Sequence, residues 1–89
     1  MMKDIQVIDR DWHEMELALE LARKNRTEVH LCRHTNGSYG NFLLGMPANP
    51  DWHLVGKATP PSGEPHSIGY FTFANGSTCG WRPASKVGL

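Results

Sequence analysis

From Trp12 to Asn25 the chain runs without a glycine, a proline or a β-branched residue, and after Thr27 its apolar period changes from 3.6 to 2. That switch constrains the fold more than any other feature. It predicts one amphipathic helix followed by strands, an α+β arrangement in which the helix packs on a small antiparallel sheet of four to five strands. Asp11-Trp12-His13-Glu14 has the spacing of a capping box, with Asp11 as N-cap and Glu14 at N3, so the helix is expected over about 12–25. Acids lead (Asp11, Glu14, Glu16, Glu20) and bases trail (Arg23, Lys24, Arg26), in the order the helix dipole favours. Trp12, Met15, Ala18, Leu19 and Ala22 form the apolar stripe. Leu17 and Leu21 widen it beyond half the circumference. A helix well embedded in its domain explains that width, and so does a flank kept for a partner or a second copy.

The strands are expected over about 28–34, 41–46, 52–58, 67–73 and 78–82, with Ile5–Ile8 as a short first strand or a lead-in. Val29 and Leu31 alternate with Glu28, His30, Cys32 and His34 as in a half-buried strand. Thr35–Gly40 is turn material, Pro47-Ala48-Asn49-Pro50 breaks the second strand, and Thr59–Pro65 reads as an exposed loop. Asn75-Gly76 favours a type I′ hairpin, which would set Tyr70 near Trp81. Asn25-Arg26-Thr27, Asn36-Gly37-Ser38 and Asn75-Gly76-Ser77 match the glycosylation triplet but read better as turn chemistry.

A chain of 89 residues has material for one core, and therefore one domain over 1–89. Nine basic and nine acidic residues leave no net charge, which disfavours a protein held to duplex DNA by phosphate contacts. Two cysteines are too few for a disulfide framework, no basic segment followed by an apolar one opens the chain, and no apolar run is long enough to span a bilayer. The cytoplasm, with both thiols reduced and no membrane partner, is the expected compartment.

Three groups of residues carry candidate chemistry. His30, Cys32 and His34 project from one strand face at ~6.5–7 Å intervals. They are candidate zinc ligands, with Cys79, His53 or His66 to complete the shell. No tight pair of cysteines supports that site, and a polar outer face is the plainer explanation. Cys32 as a histidine-assisted nucleophile lacks a third orienting residue. Among the aromatics, Phe71 and Phe73 share one face and should meet the helix, whereas Tyr70 lies on the other. Tyr70 and Trp81 are therefore candidate partner contacts together with Leu17 and Leu21, and with Arg82 and Lys86 they are candidates for weak single-stranded nucleic-acid binding. Gly40, Gly45 and Gly56 make no phosphate-binding pattern, and no catalytic constellation stands out. The expectation is a small non-enzymatic, cofactor-free protein that docks onto another protein, of the inhibitor or adaptor kind found in phages and mobile elements. Zinc binding is the first alternative and nucleic-acid binding the second.

The stretch Gly80-Trp81-Arg82-Pro83-Ala84-Ser85-Lys86-Val87-Gly88-Leu89 resembles the end of an SH3 domain, where a strand leads into a single-turn helix and a last short strand. The Asn-Gly hairpin before it sits where such barrels place their distal turn. This resemblance implies a partly closed SH3-like barrel as the alternative architecture. Pro83 matches a position of the peptide groove. Lys86 replaces the ligand-contacting tyrosine, Arg82 replaces a core residue, and the Ala-Leu-Tyr-Asp-Tyr start is missing.

Overall fold

The computed structural model describes residues 9–44, 49–61 and 69–81. Helix α1 (Asp9–Asn25) is followed by strands β1 (Val29–His34), β2 (Tyr39–Leu43), β3 (Trp52–Thr59), β4 (Gly69–Phe73) and β5 (Thr78–Trp81). The strands form one antiparallel sheet in the order β2-β1-β3-β4-β5, with the helix packed on one face. Among the described residues the sheet is open, with β2 and β5 as its edges, and does not close into a barrel. The lead-in at Ile5–Ile8, the centre of the proline-rich loop and all of the SH3-like tail beyond Trp81 lie outside the described residues.

Asp9 and Arg10, before the expected cap, are already helical. Asp11 is not an N-cap; it lies within the helix, fully buried, and accepts hydrogen bonds from the Tyr39 hydroxyl and from Arg33 Nη1 at 3.3 Å. The acid-before-Glu spacing is equally that of one helical turn, and partners on two strands supply the reason for the aspartate. The other end stops on a Schellman arrangement. Arg26 adopts φ +53°, and Thr27 N–H reaches Ala22 O at 3.3 Å.

Met15, Ala18, Leu19 and Ala22 meet Val29, Leu31, Val55, Ala58, Phe71 and Phe73 in the core. Trp12, expected in that stripe, is half-exposed, its ring edge-on to Phe73 at a centroid distance of 5.8 Å. It caps the rim of the core instead of filling it, as a large ring with a polar edge does well. A β-bulge lets β3 serve both faces. Gly56 pairs with Leu31 and Leu54 with Cys32, so Val55 is skipped and joins the core.

The β1–β2 and β4–β5 hairpins turn on the same five-residue device. His34 N–H bonds Ser38 O and Gly37 N–H bonds His34 O; Phe73, Ser77 and Gly76 repeat the pattern. Only the glycines have positive φ, +95° at both Gly37 and Gly76. Each is therefore a type I turn with a glycine bulge, not the expected type I′ turn, which would need positive φ at the asparagine as well. Asn36 and Asn75 instead use their side-chain oxygens to accept the N–H of Ser38 and Ser77, at 2.8 and 2.9 Å. The longer turn moves the register, so Tyr70 faces Gly80 and Trp81 pairs with Gly69.

Candidate functional site

β1 carries the histidine and cysteine positions, and its two faces have different neighbours. Val29 and Leu31 point to the helix. His30, Cys32 and His34 alternate onto the opposite face, beside Phe42 of β2 and Trp52 and Leu54 of β3. There the His34 and Trp52 rings meet edge-on at 4.8 Å and the Phe42 and Trp52 rings at 5.3 Å. Gly40 makes room for both large rings, since a Cβ on it would lie 2.9 Å from Phe42 Cε1 and 3.0 Å from Trp52 Cη2.

The three candidate zinc ligands are not brought together. His30 Nε2 is engaged by Glu28 at 2.5 Å, and His34 Nδ1 accepts the N–H of Asn36 at 3.1 Å. Cys32 is fully buried, and burial pushes its thiol pKa up, against the thiolate that metal binding or nucleophilic attack requires. Among the described residues no three His, Cys, Asp or Glu side chains form a metal-binding group. His53 is exposed on β3, and His66 lies outside the described residues. Cys79 is on the helix side, its sulfur 3.5 Å from that of Met15, and burial also raises its pKa, partly offset by a hydrogen bond with the Phe71 backbone. The spacing along β1 is as expected, but each member is committed to a different neighbour.

The four candidate partner contacts fall in different places. Tyr70 is half-exposed on the face away from the helix. Trp81 contributes its backbone to β5, and its side chain lies outside what is described, as do Arg82 and Lys86. Leu17, 45% exposed, and Leu21, half-buried against the core, come together on the flank of α1. With Glu20, Lys24 and Asn41 they line an apolar groove of about 340 Å3 between the helix and β2. The side-chain oxygen of Asn41 itself is shut off from solvent and has no hydrogen-bond partner among the described residues, an uncommon and costly state for a polar atom. Leu43, 52% exposed, continues the apolar surface along β2.

The backbone of β2 adds to this groove. The bonds His34 N–H to Ser38 O and Leu44 N–H to Glu28 O fix which antiparallel pairs are hydrogen-bonded. By alternation, Gly40 and Phe42 spend their peptide groups on β1, whereas those of Tyr39, Asn41 and Leu43 point outward. Among the described strands none lies beyond β2. Asn41 was the residue that sequence reasoning missed. An asparagine in a predicted strand is a depleted residue type and was the available signal.

Comparison with protein-family models, with curated proteins and with solved structures finds no match to any of them. The class that the structure itself defines is a small α+β protein with one helix on an open antiparallel sheet. Among the described residues no helix is long and apolar enough to cross a membrane.

Proposed function

We propose that this chain is a non-enzymatic protein that works by docking onto another protein, as an inhibitor or adaptor does, and that it does so through the flank where α1 and β2 border a groove. One observation carries the reading: among the described residues, the outward peptide groups of an edge strand adjoin an apolar groove beside Asn41, whose buried side-chain oxygen has no partner. An extended segment laid along β2 would gain main-chain hydrogen bonds. Its alternate side chains would enter the space beneath Leu17 and Leu21, and a donor among them would meet Asn41. Tyr70 lies on the opposite face of the sheet, so one short segment does not serve both patches.

The test is capture from a lysate of the source organism with wild-type protein and two charged variants, each checked for its fold by circular dichroism. Leu17→Glu should lose the captured protein and Tyr70→Glu should keep it. Loss with Tyr70→Glu and not with Leu17→Glu would move the docking surface to the other face and overturn this siting.

A further inference from the structure

The edge formed by β2 is self-complementary, and we infer that a second copy of this chain pairs with it, antiparallel about a two-fold axis through Asn41. The inference rests on reading this flank as a docking surface, and it names the occupant. Asn41 is the middle residue of Tyr39–Leu43, and the outward peptide groups belong to the residues placed symmetrically about it, Tyr39 and Leu43, and to Asn41 itself. A two-fold axis at Asn41 sets it opposite the second copy's Asn41 as a hydrogen-bonded pair and sets Tyr39 opposite Leu43 in the same relation. Every outward group of the strand is then used, and none is left over.

Side chains follow the same symmetry. Directly opposed residues in such a pair have Cα atoms ~5.5 Å apart, within reach for two asparagine amides. Once the two carboxamides turn outward, each Nδ2 donates to the other's Oδ1, the atom that is buried without a partner among the described residues of the single chain. An asparagine is both donor and acceptor, so one residue type meets its own need across the axis. Charge does not oppose the pairing: Glu20 and Lys24 line the groove with opposite signs, and Glu20 is already bonded to Arg23 at 3.2 Å.

The edge also lacks the usual protections against pairing. β2 reads Tyr-Gly-Asn-Phe-Leu, with no lysine, no proline and no charge, and its pairing with β1 has no bulge. Closed two-fold pairing ends such an edge, whereas head-to-tail pairing would extend it without limit.

Sedimentation equilibrium of the full chain from micromolar to millimolar concentration tests the inference, with amide exchange followed by NMR over the same range. Expected is a monomer–dimer equilibrium in which the amides of Tyr39, Asn41 and Leu43 become protected as the dimer forms, while those of Gly40 and Phe42, already bonded to β1, do not change. Asn41→Asp opposes two carboxylates across the axis and should weaken dimerisation at least about tenfold at neutral pH. Leu43→Lys, at an exposed position that the monomer does not need, should do likewise. A wild-type chain that stays monomeric, or a dimer that neither variant weakens, or protection that grows elsewhere, would overturn it. A monomer whose partner capture is still lost with Leu17→Glu would remove the dimer and leave the docking reading standing. A dimer formed as described, with capture indifferent to Leu17→Glu, would do the reverse.

Discussion

Tyr39→Phe isolates the buried contact that fastens the start of α1 to the sheet. The substitution removes one oxygen and leaves the ring, which Arg10 approaches at 5.0 Å from its centroid. Asp11 is fully buried, and it would lose the hydroxyl donor while keeping Arg33 at 3.3 Å. A hydrogen bond to a charged group contributes about 1.5–3 kcal/mol. Arg33 is one-third exposed and can adjust towards the vacated site, so the expected loss is about 2 kcal/mol. In a domain of this size that lowers Tm by roughly 10 °C. Thermal and urea melts measure it, and a cycle with Asp11→Asn should return a coupling of about 1 kcal/mol or more.

The same pair predicts an alkaline effect. Burial, and next the bond to Asp11, raise the Tyr39 hydroxyl pKa above its ordinary value, against a smaller opposing effect of Arg33. In the unfolded chain tyrosine titrates near its ordinary pKa of about 10. Above that pH the unfolded state gives up the proton first. The contribution is therefore complete below the unfolded value and is lost as pH rises through the folded one. Wild-type stability should fall over that interval more steeply than that of Tyr39→Phe. A variant within about 0.5 kcal/mol of wild type at pH 7, with an identical alkaline slope, would refute the account of Asp11 as a clasp.

Two further outcomes follow from backbone geometry. Arg26 holds the left-handed conformation that ends α1, where glycine has no Cβ penalty, so Arg26→Gly should stabilise by about 0.5–1 kcal/mol in urea melts. Gly56→Ala would place a Cβ 2.3 Å from Phe71 Cε1 and 2.6 Å from the carbonyl oxygen of Thr72. It should cost about 3 kcal/mol or prevent folding, read as lost cooperativity in the thermal melt.

Local signals were sufficient for the elements and insufficient for the joints between them. The helical stripe at Met15, Ala18, Leu19 and Ala22 and the alternation at Val29 and Leu31 are properties of a few neighbouring residues, and both reach the core as expected. The placement of Leu17 and Leu21 beside a groove was legible as surplus apolar width. Asp11 was misread because its partners, Arg33 and Tyr39, lie on strands that no local window includes. The alternating histidines and cysteine gave the correct strand face but not the competing claims of Glu28, Asn36 and Trp52 on each ring. The bulge at Val55 and the parity that turns Asn41 outward depend on pairing register, which no single strand encodes.

The strand order β2-β1-β3-β4-β5 has a consequence for how the chain folds. Antiparallel neighbours β1–β2 and β3–β4–β5 are consecutive in sequence, and each five-residue turn closes its hairpin with bonds of its own. The β1–β2 and β4–β5 contacts are short in sequence and form within microseconds, whereas β3 and β4 are joined through residues 60–68. One seam, β1 against β3, skips a strand and joins the two parts. α1 packs chiefly on those two strands, so the helix buries its stripe only when the seam is made. Helix docking and seam closure are therefore expected to be one event that sets the folding barrier, with the hairpin tips contributing little to it. Two quick hairpins then wait on the joints that β3 makes with its neighbours.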